Sequence, residues 1–361
     1  MNIHDLARHL NVSIGTVSRA FNGRSDVSAE TRRRVLEAAE KLGYSPNQSG
    51  RSLRQGATGM IGFMVVTSQE RAEKGEAFFM SVFDGLQSYL STRGLDLFVL
   101  LSSADQDPDA YLRRVVERRL ADGLIISETR RVDPRIDYLL KRRIPFVAFG
   151  RSESGGDHPW LDLDFEGVAE QSIDLLTHRG HRRIAVATAS NEINYGYLFV
   201  DACRASLAHR GIALADDMVL REPLSEAGGF SVGERILAMT TPPSAILLVD
   251  NKMATGLYHK FNEAGVVPGR DISVIGFDDS PQGAFLTPAL TRFRLSLGEL
   301  GRKLGEDLVA AMEAKAAGKR LPALQTIWPL ELVPGDSVGS PNSRTVLPKA
   351  LRRGRSAARA G

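Results

Sequence analysis

The sequence predicts an N-terminal all-α helix-turn-helix headpiece followed by an α/β core of two lobes, each built on a doubly wound parallel sheet. Three observations support this fold class. Short amphipathic helical patterns fill residues 2–43. From residue 60 onward, apolar runs of strand length alternate with helical patterns. The alternation occurs in two similar halves, which predicts two lobes with a cleft between them.

The headpiece is predicted from the spacing of its apolar residues. The first helix covers residues 3–10 with Asn2 as its N-cap, and the second begins after a tight turn with Ser13 as its N-cap. A third helix begins at Ser28. The buried stripe of the second helix is Val17, Ala20 and Phe21. Three short helices with one tight turn are typical of a helix-turn-helix, whose second helix lies in the DNA major groove.

The opposite face of this second helix cannot contribute to a core. It carries Ile14, Gly15, Ser18, Arg19 and Asn22. A glycine in a helix interior costs roughly 1 kcal/mol relative to alanine, but it lets another group approach the backbone closely. Short polar side chains and an arginine can address base edges and phosphates. A small helical cap is the alternative, and it leaves this face without a role.

Charge is distributed unevenly along the 361 residues, whose net charge is +3. Residues 1–56 contain nine Lys and Arg against five Asp and Glu, and residues 344–361 contain six against none. A basic N-terminal segment on an otherwise acidic chain indicates contact with a polyanion.

The single cysteine, Cys203, excludes an internal disulfide. The sequence shows neither a signal peptide nor an apolar run of roughly 18 residues, so we expect a cytoplasmic protein without membrane contact.

Each element of the core is predicted from the length of its apolar run and from the polar residues that flank it. The predicted strands cover residues 60–66, 95–101, 123–127, 144–149, 183–189, 218–220, 244–250 and 272–277. The predicted helices cover residues 79–92, 109–119, 135–142, 166–178, 196–210, 229–239 and 253–264. Trp160 is predicted to lie in a loop. Apolar strands separated by helices form parallel sheets that are covered on both faces.

These patterns divide the chain into a headpiece at residues 1–46, a hinge segment at 47–58, a two-lobed core at 59–335 and a basic tail at 336–361. The hinge segment is polar and contains glycine, with Leu53 as an isolated apolar residue. The tail is rich in Ser, Gly, Pro, Arg and Ala, so we expect it to be disordered. It lacks the leucine heptads that could bundle four chains, which favours a dimer.

Ligands of doubly wound sheets bind beyond the carboxyl ends of the strands. The sequence places Phe78, Arg151, Asp250 and Asp278 at such ends. This edge is therefore the predicted position of a ligand site.

Three segments, TVSRAFNG, VSAETRRRVLEAAEKLGYSPN and ISVIGFDDS, resemble the LacI/GalR family of bacterial transcription regulators, in a match that covers roughly residues 2–335. The resemblance implies a periplasmic-binding-protein-like core and a homodimer that binds a pseudo-palindromic operator in double-stranded DNA. It also implies a small-molecule effector in the cleft. The segments FGRS and WLDLD are similar to segments of regulators of α-glucoside uptake genes. We expect no cofactor, no metal and no catalytic residue.

Transferred residue by residue, the resemblance implies that Ile14, Gly15 and Arg19 read bases. The residues that it places at the start of the recognition helix or on or near the DNA backbone are Ser13, Thr16, Ser18, Asn22, Ser28, Thr31 and Asn47. In the family, the hinge segment folds as a helix on DNA and a leucine, here Leu53, wedges into the central base step. This chain has Gly50 where the family usually has alanine, which weakens that helix.

The effector site departs from the family pattern. Asp250-Asn251 reverses the usual Asn-Asp, Phe199 replaces a common arginine, and Leu295 replaces a common glutamine. The candidate effector-binding residues are Phe78, Phe79, Arg151, Asp164, Asn194, Tyr195, Tyr197, Asp250, Asn251 and Asp278. Aromatic faces combined with carboxylates suit a neutral polyhydroxylated ligand, so we expect a mono- or disaccharide. Each residue could instead be a surface carboxylate or a core aromatic, and Asp278 could cap a turn.

Repression is the expected mode of action, and a sugar- or nucleoside-responsive activator of the same architecture is the first alternative. A cytoplasmic solute-binding protein would share the two lobes but not the basic N-terminal helices. An enzyme is the remaining class. His178 and His181 look like ligands, but no third ligand and no nucleophile–base pattern accompanies them, and cationic side chains are common where a helix ends.

Overall fold

The computed structural model describes residues 2–21, 26–44, 57–66, 77–103, 105–277 and 285–341. The chain divides into two compact units, an N-terminal unit that ends at Gly59 and a core that begins at Met60. Among the helices of the described ranges, none is long and apolar enough to cross a membrane.

The N-terminal unit contains the three predicted helices, α1 (Ile3–Leu10), α2 (Ile14–Phe21) and α3 (Ala29–Lys41). Asn2 caps α1 by accepting from the backbone N–H groups of the first turn, and the Asp5 carboxylate accepts in return from the Asn2 N–H. The buried side chains of this unit are Leu6, Ala7, Val17, Ala20, Val35 and Ala39. All three helices therefore contribute to one small core, as the apolar spacing predicts.

The first lobe of the core is a six-stranded sheet with four associated helices. Its strands are β1 (Met60–Val66), β2 (Asp96–Ser102), β3 (Gly123–Ile126), β4 (Phe146–Phe149), β5 (Trp160–Leu163) and β11 (Gln325–Trp328). Its helices are α4 (Ala77–Ser91), α5 (Pro108–Glu117), α6 (Pro134–Lys141) and α11 (Leu297–Ala316). The strand order is β2-β1-β3-β4-β5-β11, and every pairing is parallel.

The second lobe repeats this plan. Its strands are β6 (Ile184–Ala189), β7 (Val219–Glu222), β8 (Ala245–Leu248), β9 (Ser273–Phe277), β10 (Thr291–Arg294) and β12 (Glu331–Val333). Its helices are α7 (Phe165–His178), α8 (Asn194–His209), α9 (Glu226–Ala238) and α10 (Asn251–Glu263). The strand order is β7-β6-β8-β9-β10-β12, with β12 antiparallel to β10. Two doubly wound lobes are therefore confirmed.

The chain crosses between the lobes three times, and the sequence did not predict five of the elements at these crossings. Trp160, predicted to lie in a loop, begins β5, a strand of only four residues that includes a charged one. The other elements absent from the prediction are β10, α11, β11 and β12. A short strand with polar residues does not form a continuous apolar run, which is why the pattern missed it.

The residues that follow β12 also differ from the prediction of a disordered tail from residue 336. Ser337 accepts from the Thr291 N–H at 2.8 Å and donates to the Val274 carbonyl at 2.6 Å, and it is completely buried. Val338 is buried beside it. The Ser337 side-chain hydroxyl, bonded to backbone groups, and one buried apolar side chain hold these residues, so no apolar period marks them. The packed core extends beyond residue 335.

Candidate DNA-binding and effector sites

Helix α2 presents to solvent the face that its sequence predicts. Ile14, Gly15 and Arg19 are exposed, whereas Val17 and Ala20 are completely buried. A Cβ placed on Gly15 would lie 3.5 Å from Nη1 of Arg19, so the arginine runs along the helix beside the glycine. The three exposed residues form one continuous surface of a size and polarity suited to base edges.

Hydroxyl groups fix the beginnings of α2 and α3. Ser13 Oγ accepts from the Thr16 N–H at 3.0 Å and lies 2.9 Å from Thr16 Oγ1. Ser28 Oγ accepts from the Thr31 N–H at 3.2 Å and donates to Thr31 Oγ1 at 2.9 Å. Hydroxyl and backbone N–H groups at helix starts are common partners of DNA phosphates. The structure thus places these four predicted residues at two helix starts.

Arg19 has one ionic contact within the unit. Its Nε lies 3.4 Å from Asp26 Oδ2, and both side chains are about half exposed, at 49% and 61%. An exposed pair of this kind contributes little to stability, so the guanidinium can exchange it for a base or a phosphate. Ser18 is partly buried on the same helix. The predicted contacts of Asn22, Asn47 and Leu53 fall outside the described residues and stay predictions.

A cavity of about 160 Å³ lies between the two lobes of the core. Its wall is formed at the carboxyl ends of β3, β4, β5, β8, β9 and β10 and by residues of α4, α7, α8 and α10. The residues that line it include Phe78, Phe79, Ser127, Glu128, Thr129, Phe149, Gly150, Asp162, Leu163, Phe165, Tyr195, Val249, Asp250, Asn251, Lys252, Phe277, Phe293 and Leu295. The cavity therefore lies at the predicted edge of both sheets.

Five of the predicted effector-binding residues line this cavity. They are Phe78, Phe79, Tyr195, Asp250 and Asn251. Phe78 stacks on Phe149 with 6.2 Å between ring centroids, and Tyr195 stacks on Phe165 at 5.4 Å. Asp250 also caps α10 by accepting from the Lys252 N–H at 2.8 Å. Asp278 lies outside the described residues.

Arg151 does not line the cavity, because neighbouring carboxylates hold its guanidinium. Its Nε donates to Asp162 Oδ2 at 2.8 Å, and its two terminal nitrogens donate to the Glu166 carboxylate at 2.8 and 2.7 Å. Burial alone would lower the pKa of Arg151, but these hydrogen bonds outweigh it and raise the pKa. The arginine is therefore permanently charged and already paired. Its partner Asp162, which the prediction did not include, does line the cavity.

The three other predicted residues also have partners away from the cavity wall. Asp164 caps α7 by accepting from the Gly167 N–H at 2.8 Å. Asn194 donates from its side chain to the Arg151 carbonyl at 2.8 Å, and so links the two lobes. The Tyr197 hydroxyl lies 3.0 Å from the Glu192 carboxylate. Strand-end position alone could not distinguish these structural roles from ligand contact.

A buried ion pair supports the cavity wall from behind. Arg135 and Asp133 are almost completely buried, and Arg135 Nη2 also donates to the carbonyls of Ser127 and Glu128, both at 3.1 Å. Burial alone would raise the pKa of Asp133, but the hydrogen bonds from Arg135 outweigh it and lower the pKa. The pair is therefore ionised, and it fixes the backbone that follows β3.

Gly150 allows two segments of the wall to approach each other. Its φ is +117°, and a Cβ there would lie 2.2 Å from Thr129 Oγ1. Any other residue would displace the threonine that lines the cavity. The backbone of this turn therefore requires glycine.

Four phenylalanines of the wall were not singled out from the sequence. They are Phe149, Phe165, Phe277 and Phe293. Phe199, at the position of the family's arginine, is buried against the rings of Phe165 and Phe277. The sequence signal that could have identified them as wall residues was their position, because each lies at or beside the end of a strand. In the sequence they were indistinguishable from ordinary core residues.

The two histidines that resembled ligands have structural roles. His181 is buried, with Nδ1 2.9 Å from Ser244 Oγ and Nε2 3.0 Å from the Gly339 carbonyl. His178 Nδ1 lies 2.8 Å from the Asp174 carbonyl of its own helix. Both ring nitrogens of His181 are therefore engaged within the protein.

Comparison with known proteins agrees with the helix-turn-helix of the N-terminal unit and with the two-lobed core. Residues 2–47 match bacterial regulatory proteins of the lacI family, and residues 173–338 match a periplasmic binding protein-like domain. A DNA-binding helix-turn-helix joined to such a core defines a transcription regulator.

Full-length relatives identify the family. The chain is 32% identical over 354 residues to the HTH-type transcriptional regulator AglR of Rhizobium meliloti (strain 1021), a match that covers 96% of this chain and 97% of the relative. It is 30% identical over 345 residues to the HTH-type transcriptional regulator RafR of Escherichia coli, covering 95% and 100%. This chain therefore belongs to the lacI family of bacterial regulatory proteins, as its motifs predict.

The fold agrees with that of solved structures. The crystal structure of the lac repressor dimer bound to operator and the anti-inducer ONPF has a TM-score of 0.81 at 22% sequence identity, covering 94% of this chain and 99% of the other. This likeness supports the helix-turn-helix and the two lobes.

Proposed function

We propose that this regulator is a repressor that binds a pseudo-palindromic operator as a homodimer, and that a neutral mono- or disaccharide in the cavity controls its operator affinity. The observation that supports the effector most is the composition of the cavity wall. Aromatic rings from both lobes face a space that also contains carboxylates, an amide and hydroxyl groups.

A pyranose ring has apolar C–H faces and a rim of hydroxyl groups. Phe78 and Phe149 on the first lobe, with Phe165 and Tyr195 on the second, offer flat surfaces for such faces. Asp162, Asp250 and Asn251 offer acceptors for the hydroxyl groups. This combination is what a site for a neutral sugar requires.

A phosphorylated effector fits this wall less well. Anion recognition by proteins relies on arginine and lysine side chains. Among the described residues that line the cavity, the one cation is Lys252. Arg151, the nearest arginine of the prediction, is paired with Asp162 and Glu166. A neutral ligand is therefore favoured.

The proposed dimer accounts for an exposed apolar patch on the first lobe. Met80 on α4 is 65% exposed, and Leu101 on the edge strand β2 is 58% exposed. Val99, also on β2, is exposed as well. Such a patch is typical of a protein–protein contact. A two-fold dimer presents two copies of α2, which is why a pseudo-palindromic operator is expected.

The dimer is tested by Leu101→Glu, which places a charge in the patch. Sedimentation should show a dimer for the parent chain and a shift toward monomer for the variant. A stable monomer of the parent chain, or an unaffected dimer of the variant, would remove this surface from the proposal.

The effector is tested by a thermal-shift screen of the purified chain against mono- and disaccharides. A ligand at about 100 times its Kd stabilises by about 2.7 kcal/mol, which gives a measurable increase in Tm. Phe78→Ala should abolish the shift for the active sugar. Phe230→Ala, which removes a partly exposed ring of the second lobe that does not line the cavity, should retain it. Equal shifts in both variants would place the sugar elsewhere.

A further inference from the structure

A cluster of cations on the first lobe has no role in the function described so far. It consists of Arg118 and Arg119 after α5 and Lys141, Arg142 and Arg143 at the end of α6, and we call it the basic edge. All five of these residues are exposed. Both helices lead into parallel strands, so the cluster lies where the strands of this sheet begin. β1 begins at the same edge at Met60, directly after the N-terminal unit.

The backbone of the basic edge is unusual for this protein. Arg119 and Arg143 have φ angles of +50° and +53°, in the left-handed region. After five other helices of the core the left-handed residue is a glycine, at Gly94, Gly180, Gly211, Gly265 and Gly318. Glycine is favoured at this position because side chains of other residues clash there. Among the helix ends of the described core, this cost occurs at two, and both times the residue is an arginine.

Helix α5 lies beside the end of α6. Arg113 of α5 and Arg142 after α6 both pack on the ring of Tyr138, with guanidinium carbons 5.5 and 5.6 Å from its centroid. Cation–π contact holds these guanidinium groups without neutralising them. The strands that follow the two helix ends, β3 and β4, are neighbours in the sheet, so the basic edge is one continuous surface.

The cations of the basic edge also differ from those near the cavity in their ionic partners. Each of four arginines near the cavity has a carboxylate partner: Arg130 with Asp109, Arg131 with Glu153, Arg135 with Asp133, and Arg151 with Asp162. Within the described part of the chain, no carboxylate forms an ion pair with Arg118, Arg119, Arg142 or Arg143. Their charge is available to an external anion.

We propose that the basic edge binds the phosphate backbone of DNA beside the operator, without reading sequence. This inference rests on the proposed function, since it needs a chain that is already held on DNA through α2. Arginine matches phosphate oxygens with two parallel donors, and such contacts position a protein without specifying bases. Duplex DNA presents phosphates at a regular spacing, which a row of exposed arginines can meet at several points.

The test uses the full chain and the double variant Arg119→Gly with Arg143→Gly, whose backbone suits both left-handed positions. Binding to a fluorescent duplex of random sequence, about 40 base pairs long, is measured by anisotropy between about 50 and 200 mM KCl. The slope of log affinity against log salt concentration should become shallower by about 0.9 for each phosphate that the variant no longer neutralises. The Tm should stay the same or rise. An unchanged slope would overturn the proposal.

Two further variants control for charge and for position. Arg119→Lys with Arg143→Lys retains both cations and should keep the slope close to that of the parent chain. Arg204→Gln with Arg235→Gln removes two partly exposed arginines of the second lobe, at 46% and 43% exposure, and should leave the slope unchanged. If this last pair lowers the slope as much as the glycine pair, net charge explains the effect and the proposal fails.

The outcomes separate this inference from the proposed function. A parent chain that binds no DNA at any salt concentration contradicts the proposed function itself. A parent chain that binds DNA, together with a glycine variant of equal slope, contradicts the basic edge alone. In that second case an acidic protein becomes the partner that the charge pattern fits.

Discussion

The outward face of α2 and the wall of the cavity bring their residues together in different ways. On α2 the candidate residues lie within two turns of one helix, and helical spacing alone decides which of them face solvent. The cavity wall collects residues from the ends of six strands and from four helices. The face of α2 is therefore a local property of the sequence, and the wall is a property of the whole core.

Two arginines show what this difference means. Arg19 extends from α2 with one weak, half-exposed contact to Asp26. Arg151 follows β4 at a predicted ligand edge, yet Asp162 and Glu166 hold its guanidinium. A charged residue at a strand end is available to a ligand only where the neighbouring chain supplies no counter-charge. The position of a residue in the sequence shows that it lies at the ligand edge of the sheet, but not which carboxylate it pairs with.

The largest expected effect comes from breaking the buried pair behind the cavity. Arg135→Leu leaves Asp133 as an uncompensated buried carboxylate and should lower the free energy of unfolding by about 3–5 kcal/mol. Arg131→Leu removes an exposed pair with Glu153 and should cost no more than about 1 kcal/mol. Urea unfolding of both variants measures the difference. Similar decreases in both variants would mean that Arg135 is not the support proposed for the wall.

The next effect tests the exposed face of α2. Arg19→Ala should weaken binding to an operator selected in vitro by about 1–3 kcal/mol, because alanine cannot make a bidentate hydrogen bond to a base. Binding to a random-sequence duplex should fall much less, and Tm should not change. A variant that binds the operator as tightly as the parent chain would show that this face does not meet the bases.

Gly15→Ala sharpens the same comparison with a smaller effect. A Cβ at this position meets only ordinary contacts, with Arg19 and Ser13 at 3.5 Å. The substitution should stabilise the N-terminal unit by up to about 1 kcal/mol through helix propensity, and yet weaken operator binding, since the added methyl group separates the helix from the bases. Circular dichroism melting and operator titration measure the two effects. Improved stability with unchanged operator affinity would show that Gly15 makes no close approach to DNA.

The smallest expected effect is a pH dependence of the second lobe. Burial lowers the pKa of His181 below its usual 6.5, so the folded chain favours the neutral imidazole. This preference adds to the free energy of unfolding, and the addition is complete above pH 6.5. It is lost as the pH falls from 6.5 through the folded-state pKa, and it amounts to about 1.4 kcal/mol for each pH unit between the two pKa values. His181→Gln cannot titrate, so its urea midpoint should fall less between pH values of about 7.5 and 5.5. An equal fall in both chains would contradict this role.

The sequence predicted the elements whose signals are local. Three helices of the N-terminal unit and the alternation of strands and helices followed from apolar period and caps such as Asn2. Strand β5 did not, because Asp162 interrupts its short apolar run and one of its partner strands, β11, lies far away in the chain. In the sequence, Phe277 and Phe293 cannot be distinguished from core residues. The cavity that they line exists only where the two lobes meet, and the sequence pattern of one lobe does not show this.

The most direct test of the account is the affinity for the selected operator, measured with and without the sugar that stabilises the chain in the thermal-shift screen. Coupling between two sites requires that the sugar bind one arrangement of the lobes better than the other. We predict that saturating sugar lowers operator affinity by about 5- to 150-fold in the parent chain, the usual range of such coupling, and leaves Phe78→Ala unaffected. A sugar that stabilises the parent chain but leaves its operator affinity unchanged would contradict the account.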